Sequence, residues 1–100
     1  MVNFKSIFLL FYAMKSKVKK GNKNTLLDSD EELQKLGARI KALRLAKGYS
    51  NYEHFAYEHN ISRAQFGRYE KGQDIRFSSL IKLINAFEMT MSEFFSEGFG

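Results

Sequence analysis

Residues 56–72 constrain the fold of this chain more than any other stretch, because here a turn joins two short helical segments. They read A-Y-E-H-N-I-S-R-A-Q-F-G-R-Y-E-K-G. Asn60 stands where the turn needs a left-handed residue, a conformation that asparagine tolerates better than most residues. Ser62 is a typical N-cap, and the helix that it opens holds only two large apolar residues, Phe66 and Tyr69. Such a helix buries one narrow face and leaves its arginines available to something outside the protein.

The rest of the chain from Ser29 onward also predicts helices. Apolar residues recur at spacings of three and four, as on the buried face of an amphipathic helix, and there is no strand pattern of comparable length. The residues predicted to cap or start the helices are, in chain order, Ser29, Ser50 or Asn51, Ser62, Ser78 or Ser79, and Thr90. The residues predicted to face the core are Leu33, Leu36, Ile40, Leu43, Phe55, Ala56, Phe66, Tyr69, Leu80, Leu83, Ile84, Phe87, Met91, Phe94 and Phe95. The sequence therefore predicts an all-α domain of five small helices around one core.

Length and charge indicate one small domain that follows an unlike N-terminal extension. One hundred residues are enough for a single domain. Residues 1–28 hold six lysines and one aspartate, whereas residues 29–100 hold ten basic and ten acidic residues. The net charge of +5 therefore comes from the extension, and any basic face of the domain must arise from the placement of its charges. We expect residues 29–97 to form the domain and residues 1–28 to be flexible or packed on a partner.

The extension is apolar at first and then rich in lysine. Residues 1–14 read MVNFKSIFLLFYAM, and residues 15–24 read KSKVKKGNKN. The apolar run 7–14 is far shorter than the ~20 residues that a membrane-spanning helix needs, and no signal-peptide cleavage motif follows it. We expect either an appendage that packs on a second copy or a segment upstream of a true start at Met14. A membrane-surface anchor is the less favoured alternative, and the lysines are suited to non-specific phosphate contacts.

Catalytic and metal-binding arrangements are not evident in the sequence. There is no cysteine, which excludes disulfides and thiolate metal sites and fits a cytoplasmic location. His54 and His59 are five residues apart, so they do not share a helix face as a zinc-binding pair does. No glycine-rich phosphate loop and no nucleophile–base set is present. We expect no enzymatic activity, no cofactor, no metal and no small-molecule ligand.

The ordered motifs of the chain resemble the Cro/lambda-repressor (XRE) family of helix-turn-helix DNA-binding domains. The segments that carry the resemblance are LGARIKALRLAKG at 36–48, FA at 55–56, NISRAQFGRYEKG at 60–72 and SSLIKLINAFEMTMSEFF at 78–95. It covers about residues 33–95. The chain departs from the family in having one extra residue between Gly48 and Ala56, and in having Asn60 where the turn usually has glycine.

The resemblance implies a lambda-repressor-like fold and sequence-specific binding of double-stranded DNA. A transcriptional repressor associated with the nucleoid is the expected role. In this fold the third helix, residues 62–71, enters the major groove. The residues expected to contact bases are Ser62, Arg63, Ala64, Gln65 and Arg68. The residues expected to contact phosphates are Asn51, Tyr52, Tyr57, Lys71, Arg76 and Ser78. Phosphate contact is the alternative for the two arginines, and a structural role at the edge of the core is the alternative for the two tyrosines.

The resemblance also implies an ion pair and a dimer. Arg44 near the end of the first helix is expected to form a salt bridge with Glu70 at the end of the third. Members of the family usually bind two half-sites as dimers. The expected dimer surface is the last helix, with Phe94, Phe95 and Phe99, or else the apolar N-terminal segment. The alternative function for the same fold is a protein-interaction module, such as an antitoxin or an adaptor to the transcription machinery.

Overall fold

The structure, a computed structural model, describes residues 26–100, and this part of the chain contains five α-helices and no strand. The helices are α1 (Ser29–Ala46), α2 (Tyr52–Glu58), α3 (Arg63–Glu70), α4 (Phe77–Ala86) and α5 (Met91–Phe94). The predicted all-α class is therefore confirmed for the described residues. The expectations about the apolar run, the lysine-rich stretch and a start at Met14 concern residues outside the described part.

Three of the helices begin at the caps that the sequence predicts. The Oδ1 atom of Asn51 accepts hydrogen bonds from the amides of Glu53 at 2.7 Å and His54 at 3.2 Å, which places the start of α2 after Asn51 and not Ser50. Ser62 caps α3, and Thr90 forms a complete capping box before α5. Asn60 has a φ of 57°, the left-handed conformation expected of the turn.

The other two helix starts differ from the predictions. Asp28 caps α1 by accepting from the amide of Glu31 at 3.2 Å, so Ser29 is the first helical residue and not the cap. An aspartate carboxylate here also interacts favourably with the positive end of the helix dipole. Helix α4 begins at Phe77, before either predicted serine. Its N-cap is Arg76, which has an extended backbone and makes no side-chain capping bond.

The core joins all five helices through large side chains. Phe55 lies between Phe87, with ring centroids 5.1 Å apart, and Phe66, at 5.2 Å. The buried core residues are Leu36, Ile40, Phe55, Ala56, Phe66, Tyr69, Leu80, Leu83, Ile84, Phe87 and Phe94, with Leu33 and Leu43 partly buried against them. The prediction for Met91 and Phe95 is wrong, since each is 39% exposed. Helix α5 is a single turn that ends at Phe94, so only Phe94 points into the core.

Glycines allow α3 to lie close to its two neighbours. A Cβ atom on Gly37 of α1 would lie 2.6 Å from the carbonyl oxygen of Glu70 and 2.7 Å from that of Tyr69. A Cβ atom on Gly67 would lie 3.0 Å from the ring of Tyr52 on α2. The buried side of α3 is therefore held by α1 at its C-terminal end and by α2 at its middle. Over residues 26–100, no helix is long and apolar enough to cross a membrane.

Candidate nucleic-acid interface

Helix α3 is presented at the surface by a tight turn after α2. The amide of Ile61 donates to the carbonyl of Ala56 at 2.8 Å, which closes the turn around Asn60. The Ser62 hydroxyl then accepts from the amide of Gln65 at 3.3 Å and fixes the first turn of α3. These local bonds set the position of the helix start, where the predicted base-contacting residues lie.

The two sides of α3 differ sharply in burial. Its inward residues Phe66, Gly67 and Tyr69 are buried. The five residues predicted to contact bases are all exposed, and they are Ser62, Arg63, Ala64, Gln65 and Arg68. Ala64, Arg68 and Lys71 follow spacings of four and three and so form one outward stripe. Gly67 lies under the ring of Tyr52 and is not part of the exposed face.

The exposed face of α3 is basic although residues 29–100 carry no net charge. Among the ion pairs of residues 26–100, none involves Arg63, Arg68, Lys71 or Arg76. The only acidic residue of α3, Glu70, is paired with Arg44, and its side chain is 8% exposed. Burial of this carboxylate leaves the cations of the exposed face without a neutralising partner on their own helix.

Arg68 and Gln65 are linked on the exposed face. The Nη2 atom of Arg68 donates to the Oε1 atom of Gln65 at 3.0 Å. Gln65 also lines a cavity of about 380 Å³ between the start of α3 and α4, together with Ser62, Ser79 and Lys82. Lys82 lies beside the start of α3 and is a further cation in addition to Arg63, Arg68, Lys71 and Arg76. The sequence did not single it out.

The residues predicted to contact phosphate fall into three settings. Lys71 and Arg76 are exposed between α3 and α4, and Ser78 is exposed in the first turn of α4. Tyr57 is 78% exposed, so it does not cover the edge of the core as the structural alternative requires. Tyr52 is half-buried, and its ring lies on Gly67 and 6.3 Å from the ring of Phe66. The structural alternative therefore describes the position of Tyr52.

The starts of α2 and α4 offer different surfaces to an anion. At α2 the amides of Glu53 and His54 are already occupied by the side chain of Asn51. At α4 there is no side-chain cap and no acidic residue in the first turn. The first amides of a helix have no intrahelical partner, and the cationic residue Arg76 directly precedes them. The start of α4 is thus the better placed of the two for phosphate.

Comparison with known proteins gives no match. No protein-family model, no curated protein and no solved structure matches the chain. The likeness to the Cro/lambda-repressor family therefore depends on the residues of this chain and on their placement.

The ion pair expected between Arg44 and Glu70 is present. The Nε atom of Arg44 lies 2.7 Å from one carboxylate oxygen of Glu70, and Nη2 lies 2.9 Å from the other. Nη1 donates to the carbonyl of Tyr49 at 2.8 Å. The hydrogen bond to Glu70 raises the pKa of the Arg44 guanidinium above its usual value. Arg44 therefore anchors the C-terminal end of α3 from its buried side and is not part of the exposed basic face.

The polar contacts of two further residues, Arg39 and Glu58, were not predicted from the sequence. Arg39 is buried, and its guanidinium donates to the carbonyls of Phe94 at 2.7 Å and Glu93 at 3.0 Å. The carboxylate of Glu58 accepts a hydrogen bond from the Tyr49 hydroxyl at 2.6 Å and lies 2.9 Å from Nε2 of His54, one turn earlier in α2. The spacing of four between His54 and Glu58 was the signal that was missed. No group of three or more possible metal ligands occurs within residues 26–100.

Proposed function

We propose that this chain is a sequence-specific DNA-binding regulator of the Cro/lambda-repressor type, with α2 and α3 as its helix-turn-helix. The observation that carries the proposal is the contrast between the two sides of α3. One side is held against α1 and α2. The other exposes Gln65 together with Arg63 and Arg68, and neither arginine has an ion-pair partner among residues 26–100. A rigid helix with a polar, cationic outer face has the shape and chemistry needed in a major groove.

The exposed side chains suit the reading of base edges. Arginine binds the O6 and N7 atoms of guanine with two hydrogen bonds, and glutamine binds the N6 and N7 atoms of adenine. Ala64 lies on the same outward stripe as Arg68 and is small enough to meet a thymine methyl group. Ser62 and Arg63 lie at the helix start, which in this mode of binding contacts base edges.

Phosphate contacts are proposed on both sides of the groove. Lys71, Arg76 and Ser78 lie after α3, next to the uncapped start of α4. Tyr57 lies on the exposed face of α2. The side-chain oxygen of Asn51 accepts the capping bonds, so only its side-chain nitrogen is left for a phosphate. Such contacts fix the orientation of a protein on DNA, but they carry no sequence information themselves. Repression by occupation of a site is the simplest regulatory outcome.

A dimer fits this proposal, but with a smaller surface than the sequence suggested. Phe94 is fully buried in its own core, which leaves Phe95 and Phe99 as the accessible members of the predicted aromatic surface. The rival surface, the apolar N-terminal segment, lies outside the described residues.

The test is selection from a random duplex library at two salt concentrations. The intact chain should enrich a palindromic site, and the double variant Arg63→Ala/Arg68→Ala should lose the enrichment. The matched control is Lys41→Ala/Lys47→Ala, which removes the same charge from α1 and its C-cap. The control should weaken binding slightly and leave the selected site unchanged.

Binding that is only salt-sensitive, and equally so in both double variants, would contradict the proposal. It would place the DNA contacts in the lysine-rich stretch 15–24. The same fold acting as a protein-interaction module, an antitoxin or a transcription-machinery adaptor, would then be the function to pursue.

A further inference from the structure

An apolar groove of about 520 Å³ lies between the start of α1 and the segment that follows α5. The apolar side chains at its wall include Leu27, Leu33, Phe95 and Phe99. The acidic residues Glu32 and Asp74 also line it, and the carboxylate of Glu32 lies 3.2 Å from Nζ of Lys35. No residue of α3 belongs to its wall, so the groove is separate from the proposed DNA-binding face.

Apolar side chains of the groove are left open to solvent. Two of its lining side chains, Leu27 and Phe95, are 80% and 39% exposed, and Leu26, the neighbour of Leu27 in the chain, is 82% exposed. Contiguous apolar surface with polar groups at its edge marks an interaction site. The groove therefore lacks an apolar occupant within residues 26–100.

We propose that residues 4–14 of the same chain, FKSIFLLFYAM, occupy this groove. The chain enters the described structure at Leu26 and lines the groove at Leu27, so the upstream segment is tethered at the edge of its own binding site. The eleven residues 15–25 that join the two can span at most about 36 Å. This tether gives the segment a high effective concentration at the groove, which favours the chain's own segment over that of a second copy.

Charge complementarity supports the same occupant. Residues 1–24 hold six lysines and no acidic residue. The first turn of α1, at the groove edge, holds Asp30, Glu31 and Glu32, and Asp28 caps it. Asp74 adds another carboxylate to the wall. An apolar segment that carries lysines thus matches an apolar groove with acidic residues at its edge. The proposal does not depend on DNA binding, and it excludes a dimer through Phe95 and Phe99, because the segment would cover both rings.

The experiment uses engineered cysteine pairs in the full chain, which has no cysteine of its own. Leu10→Cys with Phe95→Cys places one thiol in the segment and one at the groove wall. Leu10→Cys with Asn85→Cys is the control, because Asn85 is exposed on α4 and does not line the groove. After mild oxidation, non-reducing electrophoresis and peptide mapping give the yield of disulfide within one chain. The groove pair should form it in at least about tenfold higher yield than the control pair.

Two further variants test the apolar and charged parts separately. Phe11→Asp, added to the groove pair, changes only the segment and leaves the domain intact, and it should bring the yield down to that of the control. Glu32→Lys should lower the yield at low salt and have less effect at 1 M salt, where charges are screened. Equal yields in the two cysteine pairs would overturn the proposal. A disulfide formed only between two chains would also overturn it, because the occupant would then be a second copy.

Discussion

The guanidinium of Arg44 and the carboxylate of Glu70 meet through two hydrogen bonds, of 2.7 Å and 2.9 Å, that join the last turn of α1 to the last residue of α3. Their side chains are only 5% and 8% exposed. A charge buried to this extent is stable only with a partner, because water no longer solvates it. The orientation of α3, and with it the exposed basic face, depends on this pair.

Replacing Glu70 with glutamine should therefore destabilise the domain. The substitution keeps the shape of the side chain but leaves the buried charge of Arg44 uncompensated. We expect the free energy of unfolding to fall by about 3 kcal/mol, measured by urea denaturation followed by circular dichroism.

The control for this change is Glu88→Gln, which removes a carboxylate from an ion pair at the surface. Glu88 lies 3.7 Å from Lys47 and is 80% exposed. The effect there should be below about 1 kcal/mol, as for most exposed pairs. Equal losses of unfolding free energy at the two positions would show that the buried pair with Arg44 stabilises the domain no more than an exposed ion pair does.

Gly37→Ala should lower the free energy of unfolding, because the added Cβ atom on α1 would clash with backbone carbonyls of α3. The new Cβ atom would lie 2.6 Å from the carbonyl oxygen of Glu70, and a helix backbone cannot rotate away as a side chain can. We expect a loss of about 3 kcal/mol in unfolding free energy, as for severe overpacking. Gly67→Ala is the comparison, since its Cβ atom would meet only the ring of Tyr52, at 3.0 Å. A smaller loss at Gly37 than at Gly67 would mean that α1 and α3 are less tightly packed than the structure shows.

Features that depend on a few neighbouring residues could be predicted from the sequence. The caps Asn51, Ser62 and Thr90 and the left-handed Asn60 belong to this class, because each acts within three residues of its own position. The start of α1 was missed because Asp28 and Ser29 are both good caps, and only the packed helix decides between them. The exposure of Phe95 was missed because periodicity assumes that a helix continues, and α5 ends after one turn.

Long-range polar contacts were the least predictable part. Arg39 lies beside the apolar stripe of α1, and its acceptor on Phe94 is 55 residues away. Nothing in the local pattern distinguishes an arginine that bonds distant carbonyls from one that faces water. For the candidate interface, helix periodicity correctly separated the exposed residues of α3 from the buried ones, but it could not show that Gly67 lies under Tyr52.

Arg39→Met should loosen the C-terminal part of the domain. Methionine keeps much of the apolar stem but leaves the carbonyls of Phe94 and Glu93 without their donor. We expect a loss of about 2 kcal/mol, the cost of unsatisfied buried acceptors, and faster hydrogen exchange at the amides of Phe94 and Phe95. Lys41→Met, an exposed change on the same helix, should stay within about 0.5 kcal/mol. Unchanged exchange rates in the Arg39 variant would show that Arg39 does not anchor α5 through the carbonyls of Phe94 and Glu93.

The contribution of Glu58 to stability should disappear in acid. The hydrogen bond from the Tyr49 hydroxyl, with His54 adding to it, lowers the pKa of the Glu58 carboxyl below its usual value of 4.5. Because this pKa is lower in the folded state than in the unfolded chain, the ionised carboxylate stabilises the fold above pH 4.5. That stabilisation is lost as the pH falls through the lowered folded value.

Chemical denaturation of the wild type and Glu58→Gln at several pH values measures this contribution. The difference in unfolding free energy between them should be largest near pH 7 and should close as the pH falls below 4.5. Tyr49→Phe is the matched background, because it removes the first donor and leaves the carboxylate in place. In that background the difference should be smaller and should depend less on pH. A difference of the same size at pH 7 and pH 3 in the presence of Tyr49 would show that Glu58 acts through packing and not through its charge.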